Sequence, residues 1–243
     1  MRDYKMETEK RVKYICGLLD ETGAHGIVFG NSGGKDSALV GILCKTACPN
    51  TVGLVMPCRS RRNFDEDMRD AQAVARQFDI ELRTIDLSEA AEELIRRLGS
   101  VAEMSGTAVV NIAPRLRMTA LYAVAASQGL LVAGTGNRSE RYMGYFTKWG
   151  DGAYDFNPIA DLTVAEIREY LRYLGAPQGI IDKAPSGGLF DGQTDEGDMG
   201  ISYRSIDEFL LNGQCSPQDL EIISRYHNAS QHKRNLPAEY CSG

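Results

Sequence analysis

Apolar positions along this chain follow two periods that take turns. From about residue 5 to 22 they fall at helical spacing, with Val12, Ile15, Cys16 and Leu19 on one stripe, which predicts an N-terminal helix. Gly26 to Phe29 is then a short continuous apolar run, the pattern of a strand buried on both faces. A helix from about Asp36 to Cys48 ends at Pro49-Asn50, and Val52 to Met56 is a second buried strand closed by Pro57. Asp65 to Phe78 reads as a charged amphipathic helix, Ile80 to Ile85 as a third strand and Glu89 to Leu98 as a helix. After a loop from Gly99 to Gly106, a small-residue helix covers Ala113 to Ser127, and Leu130 to Ala133 is a fourth strand. Strands alternating with helices predict an α/β fold, a parallel sheet with helices on both faces. Ligands of such sheets sit at the carboxyl ends of the strands.

One such end carries Gly30-Asn31-Ser32-Gly33-Gly34-Lys35-Asp36-Ser37, between the first strand and its helix. Two glycines let backbone N–H groups close on an anion, and the helix N-terminus adds partial positive charge. Ser32 and Ser37 add hydroxyls and Lys35 a point charge, while Asp36 suits a Mg²⁺ that bridges phosphates. The run is not a Walker loop, because Phe29 and Asp36 stand where that loop needs Gly and Ser/Thr. It resembles instead the PP-loop of the ATP pyrophosphatases, which split ATP between the α- and β-phosphates and adenylate an oxygen of the substrate.

Composition narrows the class. The chain has 243 residues, 43% of them hydrophobic and 25% charged, the balance of a globular enzyme. A formal charge of −6 argues against nucleic acid as a partner. No apolar run is long enough for a membrane span, and the polar start is no signal peptide. Cys16, Cys44, Cys48, Cys58, Cys215 and Cys241 lack zinc-type spacing, so reduced thiols and a cytoplasmic home are expected.

Two further clusters follow the fourth strand. Gly134-Thr135-Gly136-Asn137-Arg138-Ser139-Glu140 misses the dinucleotide fingerprint at its third glycine, and Glu140 reads better as a second carboxylate for Mg²⁺ beside Asp36. Gly144 to Asp155 sets aromatics around Gly-Asp-Gly, with Lys148 and Asp155 offering opposite charges. Alone, this would be a surface turn, and His232 a surface histidine in a basic turn.

Together, the order and spacing of these motifs resemble the ammonia-dependent NAD synthetase family. The resemblance takes in Arg115-Leu116-Arg117-Met118, Pro158-Ile159, Lys183 to Leu189, Gln193 to Glu196, Gly200 to Tyr203 and His232-Lys233-Arg234. It implies an adenine nucleotide alpha hydrolase-like (Rossmann-like) fold, one domain over residues 1–243, and a homodimer. It implies ATP contacts from Gly30 to Ser37, Thr135 and Ser186, and Mg²⁺ on Asp36 and Glu140. It implies deamido-NAD contacts at Arg115, Lys148, Asp155, His232 and Lys233, with Arg117 a weaker candidate. The implied chemistry is attack of the nicotinate carboxylate of deamido-NAD on ATP, then attack of ammonia on the acyl-adenylate. Asp36, Lys35 and Asp155 are the expected catalytic groups, with Asp155 or Asp151 taking the proton of ammonium. The chain starts too close to the PP-loop to hold a glutaminase domain, so ammonia is expected to be free or to come from a separate protein.

One position departs from the family. Where a lysine usually contacts the ATP phosphates, this chain has Val164, so either Lys35 supplies the missing charge or ATP binding is weakened. The acidic stretch Asp191 to Asp198 would ordinarily be a solvated loop; with glycines at 187, 188, 192 and 197 it reads as a lid over residues 187–198. The alternatives are another adenylating PP-loop amidotransferase and a non-catalytic nucleotide-binding regulator.

Overall fold

The computed structural model describes residues 2–60, 64–185 and 194–240. Helix α1 (Tyr4–Thr22) starts where the Asp3 side chain accepts from the N–H groups of Lys5 and Met6, and ends at Gly23 in the left-handed conformation. Strand β1 (Gly26–Gly30) follows, then α2 (Lys35–Ala47), β2 (Thr51–Val55), α3 (Glu66–Gln77), β3 (Glu81–Thr84) and α4 (Ser88–Leu98). A short helix α5 (Gly106–Val110) leads into α6 (Ile112–Gln128) and β4 (Leu130–Ala133). These bounds match the pattern of the sequence to within about two residues.

The four strands are parallel, in the order β3-β2-β1-β4. Register places Val28 between Val52 of β2 and Val132 of β4. Alternation along β1 feeds two separate cores. Ile27 and Phe29 pack with Leu39 and Leu43 of α2 and Ile15 of α1, whereas Val28 packs with Val52 and Val132 against α4 and α6. Each fully buried side chain of this size contributes about 1.5–3 kcal/mol. Gly41 of α2 is required by that packing, since a Cβ there would lie 2.6 Å from Phe29 Cζ.

After β4 the chain adds Ile167, Tyr170, Ile180 and Ile181 to the first core and builds a third cluster, all from helices. These are α7 (Arg138–Met143), α8 (Val164–Tyr173), α9 (Gln178–Asp182), α10 (Asp195–Met199), α11 (Tyr203–Asn212), α12 (Pro217–Ala229) and α13 (Gln231–Arg234). Met143, Val164, Met199, Tyr203, Ile206 and Ile223 form its core. The part of the acidic stretch that is described is therefore not a solvated loop. Residues 195–199 are helical, and Asp195 is 3% exposed. The rest of the expected lid, residues 187–193, lies outside the described residues, as do Ser186 and Cys241.

Strand order reverses between β1 and β4, because β2 and β3 extend one side of β1 and β4 the other. Their carboxyl ends splay a crevice at that switch point, where open α/β sheets bind ligands.

Candidate active site

The crevice is a cavity of about 730 Å³, within the range of small-molecule sites. Its walls include the loop after β1, Thr135 and Glu140 after β4, Met56 after β2, Arg117 of α6, and Lys183, Asp195 and Lys233.

The β1–α2 loop is braced from within. Asn31, 3% exposed, accepts from the Gly33 N–H at 3.2 Å, and Ser32 Oγ accepts from the Gly34 N–H at 3.3 Å. Gly33 has φ +69°, and a Cβ there would lie 2.1 Å from the Asp67 carbonyl oxygen. Only glycine fits both the angle and the space. Gly34 caps α2 without a side-chain acceptor, so the first-turn N–H groups have no helical partner and can serve an anion.

Asp36 and Glu140 meet through Asn137, which is fully buried. Asn137 Nδ2 donates to Asp36 Oδ1 at 3.0 Å, while Asn137 Oδ1 accepts from the Glu140 N–H at 2.9 Å. Glu140 Oε2 accepts in return from the Asn137 N–H at 3.0 Å, completing a capping box. Burial and the neighbouring Asp36 charge push the Glu140 carboxyl well above its ordinary range, and the Lys35 ammonium only partly offsets them. Two such carboxylates, completed by phosphate oxygens and water, fit Mg²⁺. Among the described residues no three His, Cys, Asp or Glu side chains form a ready-made metal cage.

Lys35 projects into the same cluster and is 3% exposed. Its ammonium pairs with Asp36 Oδ2 at 2.8 Å and lies 5.9 Å from the centre of the Tyr203 ring. Burial pulls its pKa down, but Asp36, Glu140 and Asp195 outweigh burial and hold it above its ordinary value. Tyr203 Oη donates to Asp195 Oδ2 at 3.0 Å. Val164 contributes no charge here; it is 1% exposed in the third core.

Lys183 ties three segments together. Its ammonium pairs with Asp67 at 2.8 Å and with Asp70, both on α3, and donates to the Gly33 carbonyl at 3.3 Å. Asp195, Asn137 and Lys183 were not singled out by the sequence as functional. Only Asn137 carries a local signal, the Asn-x-x-Glu capping spacing.

The other wall is built from the 144–155 turn and the C-terminal helices. Lys148 Nζ donates to the His232 carbonyl at 2.7 Å, and Lys233 Nζ to those of Gly144 at 2.8 Å and Phe146 at 2.7 Å. Burial lowers the Lys233 pKa. Asp151 lines the cavity, is open to solvent there and accepts from the Thr147 N–H at 2.9 Å. Asp155 is exposed, accepting from the Val132 N–H at 2.7 Å and from Tyr122 Oη at 3.2 Å. Arg117 Nε donates to the Met56 carbonyl at 3.0 Å at the cavity wall, whereas Arg115 is on the exposed side of α6.

The comparisons agree with this geometry. Residues 7–237 match the NAD synthase family. The NH(3)-dependent NAD(+) synthetase of Carboxydothermus hydrogenoformans is 44% identical over 238 residues, covering 97% of each chain. The structure of NMN synthetase from Francisella tularensis aligns with a TM-score of 0.93 at 38% identity, covering 99% of both chains. The NH3-dependent NAD synthetase from Campylobacter jejuni aligns at 0.81 with 29% identity, over 99% of this chain and 100% of that one. A braced PP-loop, paired carboxylates across the β1–β4 crevice and likeness over nearly the whole length lead to one conclusion: the chain belongs to the NAD synthase family.

Proposed function

We propose that this protein makes NAD from deamido-NAD, ATP and ammonia, releasing AMP and pyrophosphate. The observation that carries the reading is the convergence of the β1–α2 loop, Asp36 and Glu140 in one cavity of a chain that matches NAD synthase over residues 7–237. ATP lies along Gly30 to Ser37 and Thr135, with Ser186 a further contact. Asp36 and Glu140 hold Mg²⁺, which would supply charge neutralisation of the departing pyrophosphate. Lys148, Asp155, His232, Lys233 and, from the exposed side of α6, Arg115 hold deamido-NAD. The outward position of Arg115 supports a homodimer in which the dinucleotide extends to the subunit boundary. Residues 1–243 work as one unit.

The first step brings a carboxylate against a triphosphate, so its barrier is electrostatic. The first-turn N–H groups of α2 and Lys35 receive the charge that develops on the leaving pyrophosphate. The nicotinate oxygen bonds to the α-phosphorus as the bond to the pyrophosphate oxygen breaks. In the second step ammonia attacks the acyl carbon and AMP leaves. Ammonium must lose a proton first, and Asp151, at the cavity wall, is better placed to take it than Asp155, whose oxygens serve β4 and Tyr122. Among the described residues no helix is long and apolar enough to cross a membrane, in keeping with a cytoplasmic enzyme.

A second substrate has support from the 0.93 TM-score to an NMN synthetase. The same chemistry on nicotinic acid mononucleotide needs only the half of the site inside the cavity. Steady-state competition between the two nicotinates decides between them. A kcat/KM that favours deamido-NAD, and falls in Arg115→Ala for that substrate alone, supports the dinucleotide reading; preference for the mononucleotide overturns it.

A further inference from the structure

Three acidic side chains and one ammonium share the buried end of the cavity. Asp36, Glu140 and Asp195 all act electrostatically on Lys35, and Asp36 pairs with it directly at 2.8 Å. Asp195 is 3% exposed and Lys35 3%, so these charges are separated from bulk water and interact strongly. The ammonium therefore stands against an oxygen of Asp36, one of the two residues assigned to the metal. A lysine head carries three donors on a flexible stem and can be displaced without breaking the backbone.

We propose that Lys35 is a resident counter-cation that competes with a free divalent ion for these carboxylates and yields them only when the metal arrives bound to a nucleotide. The inference rests on the assignment of the metal to Asp36 and Glu140. A free divalent ion must displace the ammonium from Asp36 and leave it buried with fewer partners, an unfavourable exchange. The metal–nucleotide complex brings phosphate oxygens to which the same ammonium can turn, so its charge is never stranded. Metal and nucleotide then enter together, and Lys35 ends on the phosphates, where the adenylation step needs a positive charge.

Mn²⁺ serves as the probe, measured by electron paramagnetic resonance and by calorimetry, alone and with α,β-methylene ATP. The wild-type protein should bind Mn²⁺ tightly only with the nucleotide analogue. Lys35→Gln should bind Mn²⁺ without nucleotide about tenfold or more tighter than wild type, because the carboxylates lose their competitor. Lys35→Arg, which keeps a cation, should stay close to wild type. Asp36→Asn and Glu140→Gln serve as controls and should abolish Mn²⁺ binding in the presence of the analogue. If they do not, the metal assignment itself fails. If they do, and Lys35→Gln binds free Mn²⁺ no better than wild type, the counter-cation role alone is overturned. Should Lys35→Gln not fold, the wild-type protein still decides: tight Mn²⁺ binding without nucleotide contradicts the proposal.

Discussion

Asn137 donates to Asp36 at 3.0 Å with one end of its amide and caps the helix of Glu140 at 2.9 Å with the other. One buried side chain thus sets the separation of two carboxylates that come from different helices. Asn137→Ala removes the cap and the bond to Asp36 together. It should destabilise the protein by about 1–3 kcal/mol in urea denaturation. It should also lower kcat for ATP–pyrophosphate exchange. Asn137→Asp keeps the cap but faces Asp36 with a like charge, so it should retain more stability than Asn137→Ala and recover little activity. Equal activity in all three proteins would show that the carboxylates need no such joint.

Lys183 draws the α3 carboxylates and the PP-loop carbonyl to one ammonium. Lys183→Met leaves Asp67 and Asp70 without that charge. The expected loss is about 2–4 kcal/mol, below that of a fully buried pair because Asp70 reaches solvent. The KM for ATP should rise as Gly33 loses its anchor. A variant as stable as wild type in denaturant titration, with an unchanged KM, would sink this account of the loop.

Gly33 has no room for a side chain. Gly33→Ala must both leave its positive φ and move away from Asp67. Isothermal titration with α,β-methylene ATP should show binding weakened by at least about tenfold, while circular dichroism reports the same helix content. Unchanged affinity would mean that the loop does not hold the phosphates in the conformation described.

Acid sensitivity has a source far from the cavity. Arg11 pairs with Asp161 at 2.7 Å and Arg2 does so at 2.9 Å. Burial pushes the Asp161 carboxyl up, but the Arg11 hydrogen bonds and the charges of both arginines outweigh it, and its pKa falls below the ordinary value. A lowered folded-state pKa gives stability that is present above the unfolded value of about 3.9 and lost as pH falls through the folded value. Asp161→Asn should therefore lower Tm at pH 7, and the gap from wild type should close as pH drops below about 4. A gap that widens in acid would reverse the sign and refute the linkage.

The sheet was legible because β1, β2 and β4 are short apolar runs between turn residues, buried on both faces. The PP-loop was legible because its chemistry is local, with every group within eight residues. Asp195 was hidden for the opposite reason. It sits in an acidic, glycine-rich stretch that resembles solvated loop, and the fold buries it beside Lys35, distant in sequence, and Tyr203, eight residues on. Lys183 opens one of the motifs of the resemblance, but its ion pairs are not legible there, since its partners on α3 lie 116 and 113 residues away. Val164 was read as a missing charge; the structure gives it a packing role in the third core and places an ammonium, that of Lys35, over Tyr203 of the same core.

The central claim is tested most directly by product stoichiometry. Purified protein is incubated with ATP, Mg²⁺, ammonium and deamido-NAD, and NAD and AMP are quantified by chromatography. The account predicts NAD and AMP in equal amounts from wild type and neither from Asp36→Ala. AMP and pyrophosphate without NAD would leave adenylation standing but contradict the amidation of deamido-NAD by ammonia, and NAD from Asp36→Ala at the wild-type rate would contradict the site itself.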